Sequence, residues 1–309
     1  MNKIKKLFYY AFNEPKRVWI GILTRLAPVM PDKLYLKWLF RLRMGYKLDL
    51  KNPKTFSEKL QWLKLYNRKP EYTAMVDKYE AKKYVTNIIG EEYIIPTLGV
   101  WDSFDEIDFD KLPDKFVLKT THSGGNTGVV ICRDKATFDK ESAKTRLNAS
   151  LKQCIYKHLK EWPYKNVKHR IIAEVFIETQ EYQDLPDYKF FCFNGEPKLC
   201  QVIAGRDNVM TVDFYDKEWT HQPFHEPKNY PFSGQEYNKP KCLDEMWNLA
   251  TKLSQNQPFL RVDFYEINNK IKFGELTFFP TSGFGGFDPK EWDYTFGSWI
   301  KLPPKRAML

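Results

Sequence analysis

The sequence predicts an α+β fold built on antiparallel sheets. Strand-like and helix-like segments come in mixed order along the chain, and adjacent strands are joined by hairpin signals such as Asn194-Gly195. Hairpins join antiparallel neighbours, whereas a doubly wound parallel sheet needs a crossover between successive strands. With 309 residues, 42% of them hydrophobic, the chain is long enough for two or three packed units.

Residues 1–54 are predicted to form a basic, aromatic helical segment. Residues 1–50 hold eleven Lys or Arg and three Asp or Glu, which is most of the formal net charge of +10. These basic residues alternate with Trp, Tyr, Phe and Leu at helical spacing. One interpretation is a segment that packs its apolar face on the main body; the other is an amphipathic surface that lies on anionic lipid. Because the rest of the chain is close to neutral, we expect no nucleic-acid partner.

Residues 55–115 are predicted to form an α/β lead-in. Thr55 and Glu58 make the capping-box pattern that starts a helix in TFSEKLQWLKLY. The next pattern predicts one helix from Met75 to Gly90, followed by a strand in EEYIIPTLGVW. Within that helix, Lys78 is either a phosphate ligand or a solvated lysine.

A strand, a glycine-rich turn and a second strand follow in KFVLKTTHSGGNTGVVICRD. Lys119 ends the first strand, and Gly124, Gly125 and Gly128 allow the turn to bring backbone N–H groups against an anion. The residue order differs from that of a Walker A motif. The pattern therefore predicts either a phosphate-binding turn or an ordinary hairpin turn, with His122 contacting a phosphate or capping the turn.

A long helix is predicted from Ala136 to Trp162, and RIIAEVFIE then forms an apolar strand. Glu174 lies inside this strand, while Glu178 and Glu181 follow it. A strand edge that meets a purine, with an acid that accepts bonds from ribose hydroxyls, would explain this pattern. An edge strand with acidic ends is the alternative.

The remaining residues, 186–309, are predicted to form hairpins and a helix. Lys189 lies among aromatic residues in the middle of a strand, where a cation requires a bound phosphate or a facing carboxylate. The phrase VDFY occurs twice, but only the second copy has an Arg before it and a returning Gly-Glu-Leu strand. Asp213 of the first copy is therefore predicted to be a strand-end or surface acid.

The hairpin in FLRVDFYEINNKIKFGELT predicts a pair of opposed carboxylates. A three-residue loop at 268–270 places Asp263 opposite Glu275 and Arg261 opposite Thr277. Opposed carboxylates repel each other unless a cation lies between them. Mg²⁺ takes oxygen ligands and keeps positions for substrate phosphate. The alternative is a solvated acidic face that Arg261 and nearby lysines neutralise.

Three further features of the sequence bear on the cellular location of the protein and on its enzyme class. No run of eighteen apolar residues is present, and the start of the chain lacks a signal-peptide pattern. Five cysteines without C-x-x-C spacing indicate reduced thiols in a cytosolic protein. Asp108 and Asp110 match the D-x-D pattern of nucleotide-sugar glycosyltransferases, a pattern that is frequent by chance.

The order of these strands, turns and helices along the chain resembles that of the ATP-grasp superfamily. The resembling phrases are KTFSEKLQWLKLY, VDKYEAKKYV, LPDKFVLKTTHSGG, RIIAEVFIE, DYKFFCFNGEPK, LRVDFY and KFGELTFFPTSG. In more detail they are similar to the teichuronopeptide-biosynthesis, or TupA-like, branch. The resemblance implies a fold that holds ATP between two α+β lobes. Residues 116–185 would form the lid and the adenine-binding lobe, and residues 186–309 the lobe that binds Mg²⁺ and carries catalysis.

The resemblance also implies a role for each matching residue. ATP would be held by Lys78, Lys119, the lid turn with His122, Ser123, Gly124 and Gly125, the adenine-contacting residues Glu174, Val175 and Ile177, and the ribose acid Glu181, with Glu178 as its rival. Mg²⁺ would be held by Asp263, Glu275 and Thr277, with Arg261 and Lys189 as catalytic cations. Many ATP-grasp ligases carry Asn at the position of Thr277, which leaves the second Mg²⁺ position open.

The implied chemistry is a ligation that uses ATP and Mg²⁺ to convert a carboxylate into an acyl phosphate, which an amine then attacks. The suggested substrates are a uronic acid of an acidic glycan and an amino acid or other amine, joined in capsule or cell-wall polysaccharide synthesis. We expect a cytoplasmic protein, placed at the inner face of the membrane if residues 1–50 bind anionic lipid. The alternatives are a glycosyltransferase that uses Asp108 and Asp110, and a nucleotide-binding scaffold without catalysis.

Overall fold

The computed structural model describes residues 14–125, 127–177, 185–205, 210–226, 233 and 237–305. Its helices are α1 (Pro15–Leu26), α2 (Asp32–Met44), α3 (Phe56–Tyr66), α4 (Glu71–Val76), α5 (Glu80–Ile89), α6 (Lys140–Leu151), α7 (Ile155–Leu159), α8 (Leu243–Leu253) and α9 (Glu291–Trp299). Its strands are β1 (Thr97–Trp101), β2 (Phe116–Thr120), β3 (Val129–Cys132), β4 (Ile171–Val175), β5 (Asp187–Phe193), β6 (Glu196–Ala204), β7 (Thr211–Tyr215), β8 (Phe259–Ile267) and β9 (Lys270–Thr277). Within the described ranges, no helix is both long enough and apolar enough to cross a bilayer. All five cysteines lie in these ranges and have free thiols.

The strands form two sheets in which every pairing is antiparallel. The smaller sheet has the order β1-β4-β2-β3, and the larger sheet has the order β7-β6-β5-β8-β9. Helix α6 packs on the smaller sheet through Ala143 and Leu147. Helix α8 packs on the larger sheet through Met246 and Leu253. The predicted α+β class with antiparallel sheets is therefore confirmed.

Helices α1 and α2 form a helical hairpin that packs against the main body. Its inner face buries Leu36 and Phe40 in the core cluster that also contains the larger sheet. The buried Nζ of Lys160 donates to the carbonyl oxygen of Ala27, at the turn of the hairpin, at 2.8 Å. The packing interpretation of the basic segment is therefore correct for this inner face. Residues 1–13 lie outside the described residues.

The start of α3 carries the predicted capping box. Thr55 Oγ1 accepts from the N–H of Glu58 at 3.1 Å, and Glu58 Oε2 accepts from the N–H of Thr55 at 3.1 Å. The single helix predicted from Met75 to Gly90 is wrong, because the chain divides into α4 and α5. Asp77 is extended, and its carboxylate accepts from the N–H groups of Tyr79 and Glu80, where α5 begins. A capping acid inside the helical pattern thus breaks the helix.

The long helix predicted from Ala136 to Trp162 is also wrong. It is replaced by α6, α7 and a 3-10 turn at Trp162–Asn166. Lys160 adopts a left-handed conformation with φ of 55°, and its Nζ lies 3.1 Å from Asp32 Oδ1 of α2. An ion pair with the N-terminal hairpin, which no local pattern contains, accompanies the end of this helix.

Gly297 of α9 sets how closely this helix approaches the start of α3. A Cβ at Gly297 would lie 2.1 Å from the carbonyl oxygen of Lys54 and 2.7 Å from the carbonyl carbon of Thr55. Because both atoms belong to the backbone, they cannot rotate away. We expect Gly297→Ala to lower the free energy of unfolding by about 1–3 kcal/mol, as measured by urea unfolding.

The matched control is Gly21→Ala in α1. No atom lies within 4 Å of a Cβ built on Gly21, so this substitution should stabilise the protein by about 0.5–1 kcal/mol. If the two variants changed the free energy of unfolding by the same amount, the close approach at Gly297 would not contribute to stability.

Candidate active site

The β8–β9 hairpin places Asp263 opposite Glu275 and Arg261 opposite Thr277, as predicted. The predicted three-residue loop is wrong, because the turn has two residues, Asn268-Asn269, with φ of 51° and 60°. Asn tolerates the left-handed conformation that a two-residue hairpin turn requires. The predicted pairing is therefore correct, although the turn that joins the two strands differs from the predicted one.

A bulge at Gly274 corrects the register. Ile267 pairs with Lys270 next to the turn, and the register then shifts between Asp263 and Phe264, so that Glu275 rather than Gly274 lies opposite Asp263. A Cβ on Gly274 would lie 3.1 Å from the carbonyl oxygen of Asp263. Glycine within a strand often marks such a bulge. The turn and the bulge together bring the carboxylates face to face.

Three oxygen atoms of this hairpin converge on one nitrogen atom. The oxygens belong to Asp263, Glu275 and Thr277, and Nη2 of Arg261 lies 2.7 Å, 3.0 Å and 3.0 Å from them, respectively. Nε of Arg261 also donates to Asp263 at 2.7 Å, so that this contact is bidentate. The side chains predicted as cation ligands therefore surround a cation, which here is a guanidinium.

The two carboxylates of this cluster differ in exposure. Asp263 is only 1% exposed, and burial raises the pKa of its carboxyl against the opposing effect of Arg261 and Lys189. Glu275 lies at the rim, with 35% of its side chain exposed. Although its partial burial acts in the opposite direction, the cations Lys78, Arg261 and Lys189 lower the pKa of Glu275 to about 2. Glu275 is thus the ionised oxygen donor on the open side of the cluster.

Lys189 of β5 is the second cation of the cluster. It pairs across the sheet with Asp263, whose Oδ2 its Nζ contacts. The same Nζ lies 2.7 Å from Oδ2 of Asp187, which is also buried. The sequence left a bound phosphate or a facing carboxylate open, and the structure supplies two carboxylates. Asp187 was not predicted, although its position two residues before Lys189 on one face of a strand was a usable signal.

Lys78 connects the glycine-rich turn to the carboxylate cluster. Its Nζ donates to the carbonyl oxygen of Ser123 at 2.7 Å and lies 3.6 Å from Oε2 of Glu275. Its backbone N–H donates to the carbonyl oxygen of Thr121 at 2.9 Å. Because Lys78 lies in the break between α4 and α5, its side chain is placed between the two sheets.

Lys119 of β2 is paired with Glu174 of β4 in the smaller sheet. Its Nζ lies 2.6 Å from Oε2 of Glu174, while Nζ of Lys82 lies 2.6 Å from Oε1. Although burial opposes them, the two lysines lower the pKa of Glu174 to about 2. Lys82 was missed in the sequence, where its spacing of four residues from Lys78 was the only signal. The structure thus brings two lysines, Lys82 and Lys119, onto one buried carboxylate.

The buried part of the glycine-rich turn supports its exposed part. Ser123 Oγ donates to the carbonyl oxygen of Thr120 at 3.2 Å. The His122 ring stacks on His169 with 3.6 Å between the ring centroids, and its Nε2 lies 3.1 Å from the carbonyl oxygen of Ser150. In these contacts His122 is part of the support beneath the turn.

The exposed part of the turn and the end of β4 hold the remaining predicted nucleotide contacts. Gly124 and Gly125 are exposed, and Gly125 has φ of 59°, which favours glycine. Val175 and Ile177 are partly buried where β4 ends. Glu178 and Glu181 lie outside the described residues.

The pKa of His122 predicts a loss of stability in acid. Burial is the largest cause that lowers the pKa of this imidazole to about 4, and the stacked His169 adds to it. Because an unfolded histidine titrates near pH 6.5, the unfolded chain binds a proton between pH 6.5 and pH 4 that the folded chain does not bind. The free energy of unfolding therefore falls as the pH drops through this window.

We expect His122→Gln, which keeps an N–H donor near Ser150, to flatten this pH dependence. Urea unfolding at several pH values between about 4 and 7 measures the slope. The exposed His158 provides the control His158→Gln, which should leave the slope unchanged. A wild-type slope in His122→Gln would contradict a buried, neutral imidazole.

A strained turn follows β9. Thr281 and Ser282 have φ of 45° and 55°, a region that costs free energy for a side chain with a Cβ. Gln61 of α3 donates to the carbonyl oxygens of Ser282 and Gly283, both at 3.0 Å. Lys64 of α3 donates to the carbonyl and hydroxyl oxygens of Ser282 at 2.8 Å and 2.7 Å. Helix α3 therefore holds the segment that leaves the β8–β9 hairpin.

The other acids singled out in the sequence make local structural contacts. Asp213 is buried in the middle of β7, which corrects the prediction of a strand-end or surface acid, and its Oδ1 lies 2.9 Å from Nε2 of His221. Asp108 and Asp110 are exposed. Asp108 accepts from the N–H of Asp110 at 3.1 Å, which caps a 3-10 turn, and pairs with Lys111 at 2.9 Å. The D-x-D pattern therefore has a capping role in this fold.

The opposed carboxylates of the β8–β9 hairpin and the lysine beside the glycine-rich turn of the second sheet form the arrangement that the resemblance to the ATP-grasp class implied. The chain belongs to the TupA-like ATP-grasp family, whose model matches residues 58–301. This match confirms the resemblance found in the sequence. No curated protein sequence matches the chain.

Several solved structures are similar to this chain at low sequence identity. D-alanine–D-alanine ligase from Helicobacter pylori is 15% identical, with a TM-score of 0.45 over 82% of this chain and 68% of the enzyme. D-alanine–D-alanine ligase from Bacillus anthracis, complexed with ATP, is 13% identical, with a TM-score of 0.37 over 66% of this chain and 53% of the enzyme. A RimK domain ATP-grasp protein from Sphaerobacter thermophilus is 10% identical, with a TM-score of 0.40 over 76% of this chain and 70% of that protein. The family match, rather than these similarities, identifies the chain.

Proposed function

We propose that the protein is an ATP- and Mg²⁺-dependent ligase that joins a carboxylate to an amine. The observation that carries the proposal is the convergence of Asp263, Glu275 and Thr277 on one point, which Arg261 Nη2 occupies. Lys78 reaches the same cluster from beside the glycine-rich turn. Oxygen donors beside fixed cations suit a nucleotide that carries phosphates and a divalent cation.

The residues present fit Mg²⁺. In the described part of the chain, no group of three or more His, Cys, Asp or Glu is arranged to hold a metal ion. Mg²⁺ does not need one, because it is commonly held by one or two carboxylates and completes its shell with water and substrate phosphates. Asp263, Glu275 and the Thr277 hydroxyl would hold it. When bound, Mg²⁺ would neutralise charge on the phosphoryl oxygens.

The protein's own side chains would supply the rest of the electrostatic stabilisation. Lys78 and Lys119 would bind ATP phosphates, and Arg261 would stabilise the transferred phosphoryl group. Lys189 would keep Asp263 in position, since it contacts that carboxylate in a buried site. The glycine-rich turn would exclude water and so protect the activated carboxylate from hydrolysis.

The proposed reaction has two steps. A substrate carboxylate oxygen forms a bond to the γ-phosphorus as the bond to the bridging oxygen breaks, which releases ADP and leaves an acyl phosphate. The amine nitrogen then attacks the acyl carbon, phosphate leaves, and the nitrogen loses a proton. Activation is required because a free carboxylate would have to expel oxide, which is a very poor leaving group.

For nucleotide binding, we assign the adenine to the end of β4. Glu174, Val175 and Ile177 would contact it largely through the backbone, because the Glu174 carboxylate is already paired with two lysines. Glu181, or Glu178 in its place, would accept bonds from the ribose hydroxyls. The match to the TupA-like ATP-grasp family supports ATP as the nucleotide.

For the substrates, we propose a uronic acid of an acidic glycan as the carboxylate, and an amino acid or another amine as its partner. The match to the TupA-like family supports this choice, because the sequence resembles the teichuronopeptide-biosynthesis branch of the ATP-grasp superfamily. The product would belong to a capsule or another cell-surface polysaccharide. We place the reaction in the cytoplasm, at the inner face of the membrane.

A screen tests this function. The protein, ATP and Mg²⁺ are combined with uronic acids and amino acids in all pairs, and release of ADP and phosphate is measured. We expect release that requires both the carboxylate and the amine. Absence of release from every pair would favour a nucleotide-binding scaffold, and sugar transfer from a nucleotide sugar without ATP would favour a glycosyltransferase.

A further inference from the structure

We propose that the outer face of the N-terminal helical hairpin binds an anionic lipid surface. This hairpin face consists of six exposed apolar side chains: Trp19, Ile22, Leu26, Val29, Leu34 and Trp38. The proposal depends on the exposure and charge of α1 and α2. It does not depend on the ligase chemistry, which involves other elements.

Exposed apolar side chains are concentrated in this hairpin. Of the nine large hydrophobic residues that are exposed in the described part of the chain, seven lie between Trp19 and Tyr46. Trp19, Val29 and Trp38 are 60%, 80% and 53% exposed. Scattered exposed apolar residues are ordinary, but a concentration of them marks an interaction surface.

The sequence spacing places these residues together on the outside of each helix. In α1, Trp19, Ile22 and Leu26 are separated by three and four residues, which puts them on one side of the helix. In α2, Leu34 and Trp38 are four residues apart for the same reason. The inner sides of both helices are already buried against the main body, through residues such as Leu23, Tyr35, Leu36, Leu39 and Phe40. The outer apolar side chains therefore have no core of this chain to enter.

The charge around the hairpin face favours an anionic partner. Seven exposed basic residues lie in α1 and α2: Lys16, Arg17, Arg25, Lys33, Lys37, Arg41 and Arg43. The two acids of this region are already paired. Glu14 lies 3.2 Å from Arg17, and Asp32 lies 2.8 Å from Arg68 of the main body.

A lipid surface fits this combination of side chains. Tryptophan prefers the boundary between headgroups and acyl chains, where aliphatic side chains can also enter the apolar layer. Lysine and arginine bury their stems and keep their charges at the level of the phosphates. An acidic groove on a protein would also attract the charge, but it would have to accept two tryptophans that protrude from separate helices.

The hairpin presents this face rigidly. Tyr35 Oη donates to the carbonyl oxygen of His158 at 2.7 Å, and Lys160 Nζ donates to that of Ala27 at 2.8 Å. Removing the whole segment would expose Leu36 and other core residues, so a deletion would test folding rather than binding. Point substitutions on the outer face avoid this problem.

The test uses the full chain and sedimentation with vesicles of phosphatidylcholine alone or of equal parts phosphatidylcholine and phosphatidylglycerol. We expect binding to the anionic vesicles, weakening with added salt, and little binding to phosphatidylcholine. The double variant Trp19→Ser/Trp38→Ser should reduce the binding constant at least about tenfold. Lys33→Gln/Lys37→Gln should reduce it by roughly tenfold or more, since each basic residue near the surface contributes about a factor of five.

Matched controls lie outside the hairpin. Tyr294→Ser removes an exposed aromatic residue, and Lys217→Gln/Lys241→Gln removes two exposed charges; both should bind like wild type. Unchanged unfolding midpoints of the hairpin variants would show that their fold is intact. The proposal is overturned if the wild type does not bind anionic vesicles, or if the hairpin variants and the control variants bind these vesicles equally. It is also overturned if the wild type does not bind vesicles and light scattering shows that it is a dimer, which Trp19→Ser/Trp38→Ser converts to a monomer.

Discussion

Asp263→Asn is expected to lower the rate of ADP release that depends on both carboxylate and amine by roughly 100-fold or more. Asp263 is the most buried carboxylate of the β8–β9 hairpin, and its oxygens contact both Arg261 and Lys189. An amide carries no charge with which to balance these two cations, and it is a poorer Mg²⁺ ligand than a carboxylate. A coupled assay at saturating ATP, with the best substrate pair from the screen, measures the rate.

Asp108→Asn is the matched control for this loss. Asp108 is an exposed carboxylate that caps a 3-10 turn, so its substitution should leave the ligase rate within about twofold of wild type. Asp263→Asn also leaves Arg261 and the buried Lys189 underpaired, and urea unfolding therefore has to show that this variant is folded under assay conditions. A folded Asp263→Asn protein with the wild-type rate would refute the proposed metal ligand.

Lys64→Ala is expected to lower the free energy of unfolding by about 3–5 kcal/mol. The Lys64 side chain is fully buried, and burial lowers its pKa to about 7. Its Nζ donates to the carbonyl oxygen of Leu159 at 2.9 Å and to two oxygens of Ser282. Alanine would remove all three hydrogen bonds and leave the buried Glu161 carboxyl without its neighbouring cation. Urea unfolding at neutral pH measures the loss.

Two further variants separate the causes of this destabilisation. Lys59→Ala in the same helix removes one hydrogen bond, from Nζ to the carbonyl oxygen of Ile300, and should cost about 0.5–1.5 kcal/mol. Lys64→Met/Glu161→Gln replaces the buried pair by uncharged side chains of similar length, and we expect it to recover part of the stability. If Lys64→Ala cost no more than Lys59→Ala, the buried lysine would not be what holds the Ser282 turn.

The fold class and the family were accessible from the sequence because they depend on local patterns. The capping box at Thr55 and the hairpin at Asn194-Gly195 are contained in a few adjacent residues, and both are present. The opposition of Asp263 and Glu275 was also predicted correctly, but with the wrong loop. The two-residue turn and the bulge at Gly274 each shift the register by one residue, so that the prediction and the structure agree at the carboxylates and differ nearer the turn.

Helix lengths and charge partners were predicted less well. The break at Asp77 and the left-handed Lys160 interrupt patterns that are helical by spacing. Asp213 was predicted to be a strand-end or surface acid because the first VDFY copy lacks the Arg and the returning strand of the second, yet it is buried beside His221. In each case, the outcome involves a side-chain contact that the spacing of apolar residues does not reveal.

The sequence by itself determined the antiparallel α+β class, the family and the face of the hairpin that carries the carboxylates, since these follow from turn residues and strand alternation. Only the tertiary structure decided which charges neutralise one another. Lys189 and Asp263 are 74 positions apart, and Lys78 and Glu275 are 197 positions apart. A buried charge must find its partner wherever the packed elements bring one, and one-dimensional spacing does not contain that information.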